Sequence, residues 1–301
     1  MTTGHAAPDT SRLRIARTMG KAKILMEALP YIQAFKGRTV VIKYGGSAMV
    51  DAALRHSFAG DVTLLATVGI RPVVVHGGGP QISTAMQAAG LEPVFVDGLR
   101  VTDVKAIRVV QRVLAGEVNP DIVRLLRSHQ APAVGLSGLD GGMIEAHPRD
   151  PRLGYVGDVT RVDTRLLDVL ISGGFIPVVA PLARSEDGSV YNVNADTVAG
   201  QVAAALGAEK LVYLTDVEGL YRHFGDDGSL LSSITLAGVE DMVEGGGVTG
   251  GMLPKLRSCV EAMTAGVGRA HILDGRVQHA MLLEIFTPEG IGTMVERDQV
   301  T

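Results

Sequence analysis

The sequence predicts an α/β protein with a mainly parallel sheet covered by helices on both sides. The chain has 301 residues, 46% of them hydrophobic, which is enough to bury a large core as one domain or two lobes. Short β-branched runs recur along it, each followed by glycine or a small polar cluster and then by a stretch of helical period. These runs are apolar without alternation, which is typical of strands buried on both faces. Ligands of such sheets bind at the carboxyl ends of the strands.

Six runs are predicted to be strands, and helical stretches fall between them. The strands are expected at residues 39–43, 72–76, 131–134, 175–179, 210–214 and 270–273. The helices are expected at residues 51–69, 80–90, 103–118, 120–129, 163–173, 195–207 and 254–266. Asn194 is expected to cap the helix at 195–207, and Gly207 to end it. Residues 143–162 and 182–193 have the mixed composition of hairpins and predict a β-rich edge or lid.

The N-terminal part of the chain predicts a separate amphipathic helix. Residues 1–10 look disordered, whereas from Asp9 onward apolar residues recur at helical spacing and basic residues share another face. The apolar positions are Ile15, Met19, Ala22, Met26 and Leu29, and the basic ones are Arg14, Arg17 and Lys21. A packed helix, a partner surface and a transit peptide are the alternatives, although a transit peptide would not run into the first strand without a gap. We expect an extension over 1–30, a first lobe over 31–207 and a second over 208–301.

Composition excludes several classes of protein. The 28 Lys and Arg against 32 Asp and Glu give a net charge of −4, so no global field attracts nucleic acid or an anionic membrane. The single cysteine, Cys259, excludes an internal disulfide. Neither a transmembrane span nor a signal peptide is evident, and we expect a cytoplasmic protein. The eight histidines show no metal-binding spacing, so no protein-bound metal is expected.

Two lysines are placed where a strand or a glycine loop would deliver them to an anion. Lys43 ends a buried strand directly before Gly45 and Gly46, whose backbone N–H groups can converge on an anion. Lys255 follows a glycine-rich loop at 245–251 and opens a helix, where a cation is disfavoured unless an anion shares the site. A lysine that snorkels from the strand end and a surface lysine are the alternative interpretations.

The run from His76 to Gly79 follows the second strand and lets a ligand approach bare amides at a helix N-terminus. Such a run also builds the oxyanion hole of esterases. That interpretation needs a G-x-S-x-G elbow, and the nearest candidate, residues 135–139, lacks the final glycine. Residues 245–250 match G-x-G-x-x-G, but an acidic helical segment precedes them where a dinucleotide site needs a strand.

Further polar residues follow other predicted strands. Arg100 lies in a tight connection and could grip a carboxylate or form a surface ion pair. Asn192 and Asn194 lie on the same side of an extended segment, and Asp196 follows in the first turn of the next helix.

The combined set binds two anions and contains no nucleophile paired with a base. Phosphoryl transfer fits, because its catalysis is mostly positioning and neutralisation of charge. A carboxylate acceptor needs no general base, since it is already ionised at pH 7.

The motifs together resemble the amino-acid kinase superfamily over residues 22–297. Within it they resemble the branch that phosphorylates N-acetyl-L-glutamate in arginine biosynthesis, in its arginine-sensitive form. The motifs are Lys43-x-Gly45-Gly46, His76-Gly77-Gly78-Gly79, Gly98-x-Arg100-Val101-Thr102, Asn192-Val193-Asn194-Ala195-Asp196, Leu214-Thr215-Asp216-x-x-Gly219-Leu220 and Gly251-Met252-x-Pro254-Lys255. Residues 135–142 depart from the family pattern in carrying more glycines.

The resemblance implies a three-layer αβα sandwich on an open, mainly parallel sheet of about eight strands. It implies an acetylglutamate lobe followed by an ATP lobe, with Mg²⁺ held by the nucleotide phosphates rather than by a protein cage. Implied roles are catalysis for Lys43, Lys255 and Asp196, substrate binding for Gly78, Gly79, Arg100, Asn192 and Asn194, and nucleotide binding for Gly45, Gly46, Thr215, Asp216, Gly250 and Gly251.

The same resemblance implies feedback inhibition by L-arginine. The N-terminal helix is similar to the extension that joins dimers into a hexamer, a trimer of dimers, in arginine-inhibited members. Candidate arginine-site residues are Tyr31, Lys210, His271, Glu284 and Gly290. The alternatives are another carboxylate or carbamate kinase of the superfamily, or a non-catalytic sensor of arginine or nucleotide.

Overall fold

The structure, a computed structural model, describes residues 10–223, 226–245, 248, 252–288 and 290–298. The α-helices are α1 (Thr10–Phe35), α2 (Ala52–Thr67), α3 (Gly79–Ala88), α4 (Val104–Val113), α5 (Asn119–Ser128), α6 (Arg165–Ser172), α7 (Ala195–Ala205), α8 (Leu236–Glu244), α9 (Met252–Thr264) and α10 (Ala280–Phe286). The strands are β1 (Thr39–Tyr44), β2 (Arg71–His76), β3 (Phe95–Val96), β4 (Leu99–Arg100), β5 (Ala133–Ser137), β6 (Ile144–Pro148), β7 (Gly157–Val162), β8 (Ile176–Ala180), β9 (Leu182–Arg184), β10 (Val190–Asn192), β11 (Lys210–Thr215), β12 (Leu220–Tyr221), β13 (Leu230–Leu231), β14 (Ser233–Thr235), β15 (Arg269–Asp274) and β16 (Thr293–Glu296).

The predicted α/β sandwich is confirmed. Eight strands form an open sheet in the order β14-β16-β15-β11-β1-β2-β8-β5, and every neighbouring pair is parallel except β15 with β16. Successive side chains of a strand point to opposite faces of the sheet, and the central strands are buried on both faces. Val40 and Ile42 of β1 pack into one apolar cluster, and Val41 packs into the other. Helices cover both clusters, which gives three layers.

The six predicted strands are present, with one correction. The strand expected at 131–134 runs instead from Ala133 to Ser137 and passes through Gly135. The glycine was interpreted as a strand end, but it continues the strand and leaves room for a side chain of α5. The short strands β14 and β16 were missed, because their few residues pair at the edge of the sheet and carry little periodic signal.

The β-rich regions are also confirmed. A four-stranded sheet in the order β10-β9-β6-β7 takes two strands from the predicted region 143–162 and two from 182–193. The strands β3 and β4 form a hairpin whose turn residues, Asp97 and Gly98, both have positive φ angles of 50° and 78°. Because both central residues of a type I′ turn need a positive φ, an Asp-Gly pair suits this hairpin.

Helix α1 continues past the predicted apolar positions to Phe35. Its last two turns pack on the core through Tyr31, Ile32 and Phe35. Farther back, Met19 and Met26 are 66% and 64% exposed, so the interpretation as an ordinary packed helix is wrong for this part of α1. None of the helices in the described part of the chain combines the length and the apolar composition that a bilayer span requires.

Candidate active site

The candidate site lies where β1, β2 and β11 end. These strands are adjacent and parallel, with Lys43 in register with Val75 on one side and with Tyr213 on the other. The turns that follow them therefore meet at one edge of the sheet. That edge brings together the first glycine turn (45–47), the second glycine turn (77–79) and Asp216.

Lys43 and Lys255 both reach the same carboxylate. The Lys255 Nζ donates a hydrogen bond of 2.8 Å to Asp196 Oδ2, and the Lys43 Nζ lies 3.2 Å from Asp196 Oδ1. The second contact is an ion pair without hydrogen-bond alignment, because Oδ1 has no aligned donor among the described residues. Lys43 is 9% exposed and Asp196 is 5% exposed. Two ammonium groups therefore face one carboxylate at a site with little solvent exposure.

The charged groups of this cluster act on the pKa values of Lys43 and Asp196. Burial lowers the pKa of Lys43, and Lys255 adds to that effect, against the attraction of Asp196. Burial alone would raise the pKa of Asp196, but the two lysines outweigh it and the pKa is lowered. Two ammonium groups share one buried carboxylate, and Asp216 also attracts Lys43, so an anionic ligand would strengthen the positively charged form of the lysines.

Helices α7 and α9 set the distance between Asp196 and Lys255. The Asn194 side chain caps α7 by accepting hydrogen bonds from the Asp196 and Thr197 N–H groups, as predicted, and Gly207 follows the helix with a φ of +56°. The Ser258 hydroxyl, one turn after Lys255 on α9, donates 2.7 Å to the Asp196 carbonyl.

Three residues that the sequence interpretation missed support this contact. Tyr213 of β11 donates 2.7 Å to Ser258 Oγ, and a Cβ at Gly200 of α7 would overlap that same hydroxyl. The signal available was Gly200, because a glycine inside a helix is unfavourable unless another chain segment packs against it. The sequence alone does not show that α9 is the segment that packs against Gly200.

The first glycine turn lies against Lys43 and Asp216. A Cβ at Gly45 would be 2.6 Å from the Lys43 Nζ, and Gly46 has a φ of +67°. The Ser47 N–H donates 2.7 Å to Asp216 Oδ1, which links the turn after β1 to the turn after β11. Thr215 is buried and accepts a hydrogen bond from the Val217 N–H. The other two nucleotide candidates, Gly250 and Gly251, lie outside the described residues.

The second glycine turn leaves two amides free. Gly77 N–H donates 2.8 Å to the Tyr44 carbonyl, whereas the N–H groups of Gly78 and Gly79 have no acceptor among the residues that the structure describes. Both lie at the N-terminus of α3, where unpaired N–H groups favour an anion.

Arg100 is a buried cation without an acidic partner in the described ranges. It is 7% exposed, and its Nη2 donates 3.0 Å to the Gly79 carbonyl and 2.9 Å to Ser83 Oγ. Its guanidinium lies over the Phe95 ring at 4.7 Å. Burial lowers the pKa of Arg100. The alternative interpretation as a surface ion pair is therefore wrong.

Asn192 joins the same region. Its Nδ2 donates 3.4 Å to Thr102 Oγ1, and that hydroxyl donates to the Arg100 carbonyl. A cleft lined in part by Gly98, Asn194 and Pro254 opens between the β3–β4 hairpin and α9. One side of the site is thus formed by Arg100, Asn192 and Asn194. The Oδ1 of Asn194 already accepts the capping hydrogen bonds of α7.

A second polar cluster lies under α1. Lys210 Nζ donates 2.9 Å to His271 Nε2, and His271 Nδ1 donates 2.7 Å to Glu284 Oε1. The Phe35 ring covers the Lys210 ammonium at 4.8 Å, and burial lowers the pKa of Lys210 to about 8. A Cβ at Gly290 would be 2.7 Å from Glu284 Oε2. Tyr31 lies one turn before Phe35 on α1, so the five candidates occupy one region.

The chain is similar to known proteins over most of its length. Residues 38–274 match the family model described as "Amino acid kinase family". The chain is 53% identical to the acetylglutamate kinase of Geotalea uraniireducens over 287 residues, covering 91% of this chain and 97% of the relative. It is 49% identical to the acetylglutamate kinase of Nostoc punctiforme over 282 residues, covering 93% and 95%.

Solved structures show the same fold. The N-acetylglutamate synthase of Neisseria gonorrhoeae, complexed with coenzyme A and N-acetyl-glutamate, superposes with a TM-score of 0.82 at 31% identity. That match covers 93% of this chain and only 64% of the synthase chain. The carbamate kinase of Giardia lamblia bound to AMP-PNP superposes with a TM-score of 0.66 at 18% identity, covering 87% and 99%, and shows the fold alone.

Proposed function

Because the chain belongs to the amino acid kinase family, and within it to the acetylglutamate kinases, we propose that it phosphorylates N-acetyl-L-glutamate. The γ-phosphoryl group of ATP passes to the side-chain carboxylate and gives N-acetyl-L-glutamyl 5-phosphate and ADP. The observation that carries the proposal is the Lys43–Asp196–Lys255 cluster, in which two ammonium groups share one buried carboxylate. It lies beside two glycine turns at one sheet edge.

The chemistry needs positioning more than proton transfer. The substrate carboxylate is ionised at neutral pH, so one of its oxygens attacks the γ-phosphorus directly while the bond to the β–γ bridging oxygen breaks. Lys43 and Lys255 then neutralise charge on the phosphoryl oxygens, and Asp196 holds both ammonium groups in place. Both lysines also reduce the repulsion between the two anionic reactants.

The substrate and nucleotide are assigned to opposite sides of this cluster. Arg100 would bind the α-carboxylate, Asn192 and Asn194 would contact the substrate, and the Gly78 and Gly79 amides would face it. Gly45, Gly46, Thr215 and Asp216 would border ATP. The sheet supports lobes over 31–207 and 208–301, because the strands from these two ranges occupy opposite halves and meet at the β1–β11 pair.

Magnesium would be bound by the nucleotide rather than by the chain. Among the described residues no group of three or more His, Cys, Asp or Glu side chains could hold a metal ion. Asp196 is engaged by two lysines, which leaves the more exposed Asp216 as the carboxylate nearest the glycine turn. When bound to the β- and γ-phosphates, Mg²⁺ would neutralise part of their charge.

The proposal is tested by following ADP release with N-acetyl-L-glutamate, L-glutamate, L-aspartate and carbamate in parallel. We expect turnover with the acetylated substrate and little with the other three. Turnover with carbamate or only with an unacetylated acid would assign the chain to another kinase of the family. ATP and arginine binding without any turnover would instead indicate a sensor.

We also propose that L-arginine binds the Lys210–His271–Glu284 cluster and inhibits the enzyme, with Tyr31 and Gly290 at the edge of that site. Burial would raise the pKa of Glu284, but hydrogen bonds from His271 and from the Ile291 and Gly292 amides hold it low. The carboxylate is therefore ionised and suited to a guanidinium. The exposed apolar residues of α1 support a role for that helix in joining dimers into a hexamer.

Removal of residues 1–28 is expected to convert the hexamer to dimers and to weaken arginine inhibition, because it removes most of the exposed part of α1. Light scattering would measure the mass, and an inhibition curve would measure the response. The full-length chain is the control. A truncated protein that remains hexameric would contradict the role assigned to α1.

A further inference from the structure

A buried amide and a buried imidazole lie directly behind the second glycine turn, and the mechanism above does not use them. His76 is the last residue of β2 and is fully buried. Its Nδ1 lies 2.8 Å from the Gly77 carbonyl oxygen, and its Nε2 lies 3.0 Å from Asn119 Nδ2. Asn119 is 4% exposed and opens α5.

The amide orientation of Asn119 follows from its partners. Its Nδ2 also lies 2.8 Å from the Val178 carbonyl of β8 and 3.2 Å from the Leu136 carbonyl of β5. Carbonyl oxygens only accept hydrogen bonds, so the nitrogen and not the oxygen must face them. The amide has two protons for these three acceptors, so one of its N–H groups is shared between two of them. Asn119 thereby links the neighbours β8 and β5 and, through His76, β2.

The same reasoning assigns the tautomer of His76. The Gly77 oxygen can only accept, so Nδ1 carries the proton and donates to it. Nε2 is then unprotonated and accepts from Asn119. Burial lowers the pKa of His76 to about 4, so the ring stays neutral at physiological pH.

A π-helical turn at Leu114–Val118 places Asn119 in this position. The Asn119 N–H donates to the Leu114 carbonyl five residues back, and Pro120 has no N–H with which to continue regular α-helical bonding. The turn also supports the glycines directly, because a Cβ at Gly78 would be 2.7 Å from Leu114 Cδ2. On the other side, a Cβ at Gly135 would overlap Asn119 Oδ1.

This arrangement fixes one peptide plane. The peptide between Gly77 and Gly78 is trans, so its carbonyl and its N–H point in opposite directions. Because the Gly77 carbonyl points toward His76, the Gly78 N–H points to the opposite side, away from the His76 ring, and that N–H has no acceptor within the described ranges.

We propose that Asn119 and His76 are positioning residues that aim the Gly78 N–H at the acetylglutamate substrate, an inference that rests on the proposed function. Neither side chain touches the substrate. Asn119 and the Gly77 carbonyl together set the tautomer of His76. His76 in turn holds the Gly77 carbonyl, and the glycine turn presents its amide without reorganisation when substrate binds.

The kinetic test is Asn119→Leu, which keeps a side chain of similar size and removes the donor. We expect the KM for N-acetyl-L-glutamate to rise at least about tenfold, the cost of a misplaced hydrogen-bond donor, while the KM for ATP changes less than about twofold. Leu126→Ala is the matched control, because Leu126 is a fully buried residue of the same helix. It should lower the melting temperature and leave both KM values unchanged. Equal KM values in Asn119→Leu and wild type would overturn the proposal.

The spectroscopic test needs no change in activity. In ¹⁵N-histidine-labelled wild-type protein, the His76 resonance, assigned by its loss in His76→Phe, should show a protonated Nδ1 and an unprotonated Nε2. In Asn119→Leu we expect that preference to weaken, because the donor to Nε2 is removed and only the Gly77 carbonyl still favours the proton on Nδ1. A wild-type Nε2–H tautomer would overturn the proposal, including in the case that Asn119→Leu does not fold. If wild type does not phosphorylate N-acetyl-L-glutamate, the proposed function fails instead, and the tautomer result still stands.

Discussion

Lys255→Ala is expected to reduce kcat by about 10³-fold, because it removes a preorganised donor from the phosphoryl group being transferred. The KM for N-acetyl-L-glutamate should change far less, since Lys255 bonds Asp196 and is assigned to the transition state rather than to the substrate. Lys43→Ala should give a loss of similar size. The measurement is steady-state ADP release with each substrate varied in turn.

Two comparisons make the lysine experiment specific. Lys105→Ala changes an exposed lysine of α4, outside the site, and should leave kcat within about twofold of wild type. Because Lys43 and Lys255 share Asp196, the double variant should lose less than the product of the two single losses. An unchanged kcat in either single variant would remove that lysine from the mechanism.

Arg100→Met is expected to raise the KM for N-acetyl-L-glutamate by about 10²-fold. Methionine fills a similar volume but removes the guanidinium that would bind the α-carboxylate, and losing a buried charged contact costs about 3 kcal/mol. The KM for ATP should stay nearly constant, because Arg100 contacts Gly79 and Ser83, on the side of the cluster that we assign to acetylglutamate. Saturating substrate should restore most of kcat.

Arg165→Met is the control, because Arg165 is an exposed arginine that pairs with Asp163 alone among the residues that the structure describes. It should leave both KM values unchanged. Arg100→Lys tests whether charge alone suffices. We expect only partial recovery, because a lysine cannot reproduce the planar bidentate contact. A wild-type KM in Arg100→Met would show that the α-carboxylate is bound elsewhere.

Much of the fold could be predicted because local sequence patterns mark where the central strands lie and where they end. The apolar runs that became β1, β2, β8, β11 and β15 are continuous. Glycines mark the ends of β1, β2 and β15, Pro181 follows β8, and Asp216 follows β11. Gly135 shows the limit of that rule. This glycine interrupts an apolar run in the same way, yet β5 continues through it. The position needs a glycine because a Cβ there would overlap the side chain of Asn119 on α5.

The candidate site was predictable in its residue types and not in its contacts. A lysine at a strand end, a lysine at a helix start and an acidic first turn each indicate an anion site in their own segment. That Asp196 bonds both Lys43 and Lys255 depends on how α7 packs against α9, and Ser258, Tyr213 and Gly200 decide that packing.

The order of the central strands and of the helices between them, the parallel sheet and most glycine turns follow from the sequence alone, since they depend on backbone preferences and on which segments are apolar. Only the tertiary structure decided that Asp196 joins two lysines 212 positions apart in the chain, that Arg100 is buried without an acidic partner among the described residues, and that Asn119 reaches His76. The physical reason is that a hydrogen bond or an ion pair depends on distances of a few ångströms between segments that are remote in sequence, and those distances are set by packing.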